Sequence, residues 1–590
     1  MGEQENYVES IHNEDYYRPF STPNISHESM IFTGGRTTEK LNGQWHYVED
    51  LYDVGFRDSW HRPRATGPSG PTEPWDFNAA EGELTDLPGC WNVIDPRLFY
   101  FEGTVWYSRS FPYEAAVPGE RLFLRIGAAN YDTKIFMNTR YLGHHAGGST
   151  PFFVELTDVA QGSNELLIGV NNTRENDRVP MKNTDWYNWG GIYRDIELLR
   201  LPATFIRDFT VALTPGSGYD EIAVSCELSD RVDGRALLAI PDLAIEQEVE
   251  IQAGLGNATL ATKPDLWCPE NPRLYEVSLT FEDDSVSDSV GFRQVATDGT
   301  SITLNGARIF LKGVSVHEDD AENGKMLSDE DLARRFRHAK ELGANFMRLA
   351  HYPHDERVAQ MADREGILLW EEIPVYWAIA FGNEATFSDA ENQLTELIKR
   401  DRNRASVILW SVGNENADTD ARLSFMSRLA QRARTLDPTR LVTAACLVNH
   451  AQKRIEDRLA PFLDVIGLNE YYGWYEPDFD NVREVVANSS PDRPVIISEF
   501  GAGAKAGNHG PADQLFTEEY MEHVYQQQIE VIRDLEYVSG MTPWILYDFT
   551  CPRRKNRFQR GYNRKGLIAE DKTTKKKAFF TLQAFYRELR

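Results

Sequence analysis

The chain is poor in cysteine and shows no pattern in what it has. Cys90, Cys226, Cys268, Cys446 and Cys551 are five in number and widely scattered, with no C-x-x-C pair. That argues against a disulfide framework or a cysteine-built zinc site and points to reduced thiols in a cytoplasmic protein. Basic charge is also in deficit. Against 91 Asp and Glu stand 62 Lys and Arg, a formal net charge of −29 at pH 7. Nucleic acid needs a basic face, so it is excluded as a partner. No apolar run approaches the ~18 residues that a membrane helix requires. The opening "MGEQENYVESIHNEDYY" has neither a basic nor an apolar leader region, so no secretory signal and no membrane association are expected. If the substrate is an anion, the overall field opposes it. Local cations must then act within a screening length of roughly 8 Å.

What is present is a globular composition, 41% hydrophobic and 12% aromatic over 590 residues, too long for one core. From about Arg36 to Leu201 short alternating strands such as "RLFLRIGAAN", "TKIFMNTRYLG" and "NELLIGVNN" predict a β-sandwich. A second β stretch, "EIAVSCELSD", "RALLAIP", "EVEIQAG" and "LYEVSLTFED", has the length of an immunoglobulin-like sandwich. After about Val295 apolar strands alternate with amphipathic helices. Eight strand candidates follow: "RIFLKGVSV", "NFMRLA", "GILLWEE", "SVILWSV", "LVTAAC", "DVIGLNE", "PVIISEF" and "MTPWILYDF". Between them lie helical patterns such as "DEDLARRFRHAKELG" and "NQLTELIKRDRN". Eight βα units predict a (β/α)8 TIM barrel. The expected domains are therefore 1–201 (with an N-terminal extension), 202–294 and 295–590.

Polar residues that directly follow barrel strands sit at the C-terminal rim, where barrels do their chemistry. The fourth strand ends in Asn414-Glu415 and the seventh in Glu499. These strands face each other across the mouth, so two carboxylates can converge on one bond. That suggests glycoside hydrolysis, with one carboxylate donating a proton and the other attacking the anomeric carbon; retaining enzymes hold them about 5–5.5 Å apart.

"SVGNE", "LNEYYGWY" and "IISEFGA", in the order sandwich, immunoglobulin-like domain, barrel, resemble glycoside hydrolase family 2. That family contains β-glucuronidases, β-galactosidases and β-mannosidases. "LPGCWN", "GHHAGGSTPF" and "NTDWYNWGGIYRDIEL" are similar to its N-terminal jelly-roll sugar-binding domain. The resemblance implies Glu415 as acid/base, Glu499 as nucleophile and Tyr471 as the tyrosine that hydrogen-bonds the nucleophile. It implies Asn414 orienting the sugar, Asn469 and Tyr475 lining the subsite, and His317 and His351 against sugar hydroxyls. It further implies Trp544 as the floor of the pocket and Asp185 projecting from the jelly roll into the site.

The segment "GYNRKGL" bears on the sugar. Asn563-x-Lys565 resembles the N-x-K motif of the family's β-glucuronidases, which holds the C6 carboxylate of a uronic acid, and Arg560 is a candidate second contact. The chain lacks the E-x-H arrangement of a magnesium site, since Glu371 and Glu372 are followed by Ile373-Pro374; no metal or cofactor is implied. The segment after the third strand runs quickly into a helix, which implies an open cleft. The implied activity is hydrolysis of terminal β-D-glucuronides by double displacement, on small-molecule or oligosaccharide substrates, by a homodimer or homotetramer. A β-galacturonidase or β-galactosidase on the same scaffold stays open, because N-x-K does not read C4. A non-catalytic carbohydrate-binding protein is the alternative of another class.

Overall fold

The computed structural model describes residues 20, 22–62, 66–72 and 77–589. The N-terminal extension as far as residue 19, with its leader reading, lies outside the described residues. The chain divides into two compact units.

The first unit carries residues up to Arg174, then Asn188–Arg207 and Asn323–Met326. Its main sheets are a six-stranded one, in which Ser163–Asn171 pairs antiparallel with both Asp132–Met137 and Thr104–Pro112, and a four-stranded one centred on Ile196–Leu201 and Arg121–Ile126. Residues that the alternating pattern turns inward, among them Trp45, Tyr107, Leu124, Ile135, Ile168 and Leu198, form one buried core. This is a β-sandwich.

The second unit carries Glu175–Tyr187, Asp208–Glu322 and Leu327–Arg590. Seven strands between Ile206 and Val290 pair antiparallel in a single hydrogen-bonded order. Glu221–Leu228 buries every second residue, as a sheet with one wet face requires. A short three-stranded sheet, Val295–Ile309, follows. It packs Val295, Ile302 and Leu304 against Leu311, Phe346, Leu368 and Val465 of the barrel.

The barrel closes through eight parallel strands: β1 Leu311–Val316, β2 Phe346–Leu349, β3 Leu368–Glu372, β4 Val407–Asn414, β5 Leu441–Leu447, β6 Val465–Asn469, β7 Val495–Glu499 and β8 Val538–Met541. Every residue of β4 is buried, as expected of a strand covered on both faces. The first helix, α1 (Asp329–Leu342), starts where Ser328 and Asp331 form a reciprocal capping box and ends at Gly343 with φ 88°. Its buried stripe is Leu332, Phe336, Ala339 and Leu342.

Three expectations about the elements are corrected. The eighth strand is Val538–Met541, so "MTPWILYDF" begins where that strand ends. Pro543 has no N–H for a ladder, and its carbonyl instead accepts from Ser315 N at 3.2 Å. The β5–β6 connection holds only a 3-10 turn at Ala460–Phe462, with Pro461 inside it, so one of the eight βα units has no α-helix. Finally, the helix after β3 begins at Glu384, capped by Asn383, well before the expected Asn392.

Candidate active site

Along the barrel strands the inward positions change from apolar to charged. Phe346 is followed two residues later by Arg348, and Trp370 by Glu372; all four are fully buried. Arg348 ties the site together. Its Nη1 donates to Glu499 Oε1 at 2.8 Å, and its Nη2 donates to Glu372 Oε1 at 3.0 Å and Asn414 Oδ1 at 2.6 Å. Trp370 Nε1 donates to the other Glu372 oxygen at 2.8 Å. Burial would raise Glu372, but Arg348 and His351 outweigh it and hold the carboxyl at about 2. A buried guanidinium between two carboxylates is sustainable only because each charge is paired.

Glu415 sits one residue past β4 with φ 51°, in the left-handed region that non-glycine residues seldom adopt. Its N–H donates to Ala445 O at 2.8 Å. Its carboxylate accepts from Asn469 Nδ2 at 3.0 Å and Trp377 Nε1 at 2.7 Å. Burial, then the negative charge of Glu499, push Glu415 up to about 7, against the opposing pull of those two donors and Arg348. Glu499 closes β7. Its Oε2 accepts from the Tyr471 hydroxyl at 2.8 Å, and its Oε1 lies 3.8 Å from His351 Nε2. Burial, then Glu499 and Glu415, hold the Tyr471 phenol well above its ordinary range, so it stays a donor. Asn469 bridges the carboxylates: it donates to Glu415 and accepts from the Ser498 hydroxyl at 2.7 Å, next to Glu499.

Glu415 and Glu499 line one cavity of about 230 Å³, below the roughly 300–1,000 Å³ of drug-sized ligand sites. One wall is cationic. Lys565 Nζ donates to the Tyr475 hydroxyl at 2.8 Å, and Arg554 Nη1 donates to the same oxygen at 3.1 Å. Burial would raise that phenol, but Lys565 and Arg554 overcome it and lower its pKa. Asp185 orients the wall: it accepts from Arg554 Nη2 at 2.5 Å and Asn563 Nδ2 at 3.1 Å. Asn563 Oδ1 accepts the Lys565 N–H at 3.2 Å. A short hairpin, Phe549–Thr550 paired with Tyr562–Asn563, carries Arg554 and Asn563, with Lys565 two residues beyond it.

Asp185, His351, Glu415, Asn469, Tyr471, Tyr475, Glu499, Trp544, Asn563 and Lys565 all line this cavity. Three expected residues do not. Arg560 is exposed, and its Nε donates to Arg557 O at 3.2 Å; the left-handed turn at Arg560 and Gly561 carries its side chain away, and Arg554 lines the cavity instead. His317 is buried outside the cavity lining, its ring against Trp544 at 5.1 Å and Phe549 at 4.4 Å, with Nδ1 on the Tyr352 hydroxyl at 3.1 Å. Asn414 is buried beneath Glu415, its Oδ1 taken by Arg348 and Asn469. Sequence reasoning missed Arg348, Glu372, Trp377 and Arg554. A charged residue inside an apolar strand, as in "NFMRLA", was the available signal for Arg348. Trp377, in the β3 loop "VYW", gave none.

Such a site can protonate a leaving oxygen from Glu415, present the Glu499 carboxyl group to the atom that oxygen leaves, and hold a negative group at the Lys565 end. "Glycosyl hydrolases family 2, TIM barrel domain" matches residues 295–590, and the sugar binding domain of the same family matches 38–202. The β-glucuronidase of Paenibacillus borealis is 29% identical, covering 92% of this chain and 95% of its own length. The β-glucuronidase of Chlorocebus aethiops is 30% identical, covering 94% and 92%. The solved β-D-glucuronidase of Dictyoglomus thermophilum superposes with a TM-score of 0.79 at 27% identity, over 94% of this chain and 98% of its own. With both family domains matched and near full-length relatives of this similarity, the chain belongs to glycosyl hydrolase family 2.

Proposed function

We propose that the protein is a retaining β-glucuronidase in which Glu499 is the nucleophile and Glu415 the acid/base. The observation that carries the reading is the cationic wall: Lys565, Asn563 and Arg554 line the same cavity as the two carboxylates. Glu499 attacks the anomeric carbon while Glu415 protonates the departing oxygen. Arg348 and Tyr471 each donate a hydrogen bond to one oxygen of Glu499 and so fix its orientation for the attack. Esterification then removes the charge on Glu499. Since that charge is the second cause of the raised Glu415 pKa, Glu415, having given its proton to the leaving oxygen, now stays a carboxylate and is free to accept a proton from the attacking water. Trp544 stacks on His351 at 4.8 Å and closes the floor.

The C6 carboxylate of the sugar is assigned to Lys565 and Asn563, with Arg554 in the place expected of Arg560. A charge-assisted bond there is worth about 1.5–3 kcal/mol, roughly ten- to hundredfold in specificity. Comparing 4-nitrophenyl β-glucuronide, β-galacturonide and β-galactoside tests the assignment. The glucuronide should be the best substrate, and Lys565→Ala should lower its kcat/KM by that factor while weak hexosidase activity survives. Equal losses on all three sugars would remove Lys565 from the role. A cytoplasmic, homo-oligomeric enzyme belongs to the same proposal; the five thiols, all free, suit a reducing compartment.

A further inference from the structure

In a chain of net charge −29, the stretch Cys551–Gly566 holds seven cations and no acid. It includes the tip of the hairpin whose root carries Asn563. Three of the cations turn inward: Arg554 to Asp185, Lys565 to Tyr475, and Arg564 to Asp548 and Glu570. The other four, Arg553, Lys555, Arg557 and Arg560, are exposed. Lys555, Arg557 and Arg560 have no ion pair among the described residues, and the nearest carboxylate oxygen to Arg553 is 3.9 Å away, on an Asp185 already engaged by Arg554.

The placement of Arg553 gives this patch a direction. Its guanidinium lies over the Trp377 ring at 5.2 Å, and its Nη1 donates to Asn183 Oδ1 at 3.2 Å. Tyr376 stacks on the same indole at 4.5 Å, so the ring is held by both neighbours. The Trp377 N–H meets Glu415, the proton donor of the reading above. The indole therefore marks the leaving-group side of the scissile bond, and the guanidinium over it is a pre-ordered cation on that side. The loop after β3 covers only residues 373–383 before its helix begins, a short connection beside the same mouth.

We propose that Arg553, Lys555 and Arg557 of this hairpin bind the aglycone, and that the natural substrate is an acidic oligosaccharide bearing carboxylate or sulfate groups on the sugars next to its terminal glucuronic acid. The inference rests on the β-glucuronidase reading and names the substrate class of that site. A molecule of strong negative charge repels a polyanion at long range. A local cluster overcomes that within a screening length of roughly 8 Å, which makes the preference salt-sensitive.

The test uses the full chain and four substrates: 4-nitrophenyl β-glucuronide, and glucuronyl-terminated oligosaccharides of one length that are neutral, uronate-bearing or sulfated. At low salt kcat/KM should be about tenfold higher on one or both acidic oligosaccharides than on the neutral one, with the better arm identifying the anion. The ratio should fall toward unity as salt approaches about 0.5 M, where the screening length shrinks to a few ångströms. Arg553→Gln, and independently Lys555→Gln with Arg557→Gln, should each cut the acidic-to-neutral ratio severalfold. Hydrolysis of 4-nitrophenyl glucuronide without any acidic preference, or a preference that neither variant moves, overturns this inference alone. Failure to hydrolyse any of the four overturns the β-glucuronidase reading, and this inference with it.

Discussion

Glu415 and Glu499 are chemically identical side chains that the fold treats differently. Glu499 receives Arg348 and Tyr471, whereas Glu415 receives two neutral donors and the repulsion of its partner. With Glu415 raised to about 7 chiefly by burial, the protonated form that the proposed acid role requires is lost as pH rises through that value. The kcat/KM profile on an unactivated glucuronide should fall on its alkaline side near pH 7. Glu415→Gln should lower the rate by about 10²–10⁴ and abolish that limb. An alkaline limb that persists in the variant assigns the titration elsewhere. Arg348 makes a different kind of prediction. Arg348→Met leaves Glu372 buried without its counter-charge, at a cost of about 3–5 kcal/mol. Because burial then raises Glu372 unopposed by that guanidinium, protonation should relieve the cost. Urea denaturation should show a larger deficit at neutral pH than near pH 4.5; a pH-independent deficit would mean that lost packing dominates.

Among the elements, β6 shows how closely the barrel interior is filled. A Cβ on Gly467 would stand 2.5 Å from Trp370 Cη2 and 2.8 Å from Ala444 O. Gly467→Ala should therefore destabilise by about 1–3 kcal/mol through overpacking, read as a lower thermal midpoint. An unchanged midpoint would show that Trp370 can shift. Strands of this kind are legible in sequence because burial on both faces leaves continuous apolar runs, as in residues 407–410. The same simplicity misplaces β8: "VSGM" is short and weakly apolar, while the run after it packs equally greasy residues, Trp544, Ile545 and Leu546, in irregular backbone. The β5–β6 segment offers no apolar period, and no α-helix forms there.

Across the whole molecule, Glu415, Asn469 and Glu499 stood out because a polar side chain interrupts an apolar run at or just past a strand end, whereas Asp185, Asn563 and Lys565 were reached through motif resemblance alone. Arg348 and Glu372 escaped because their roles come from partners on other strands, which spacing along the chain does not reveal. Arg554 took the place expected of Arg560 because the hairpin turn, with Arg560 at φ 47° and Gly561 at φ 87°, decides which cation faces the cavity. Charge behaves similarly: the global figure of −29 bears on solubility, whereas the local cluster of cations is what the proposed acidic aglycone would meet. In the proposed reaction Glu415 and Glu499, far apart in the chain, act on one glucuronic acid ring. Incubation with 2-deoxy-2-fluoro-β-D-glucuronyl fluoride, followed by peptide mass spectrometry, should reveal one 2-fluoroglucuronyl group on the peptide bearing Glu499, and none in Glu499→Gln. A label on another residue, or no label while the enzyme turns over glucuronides, would rule out Glu499 as the nucleophile.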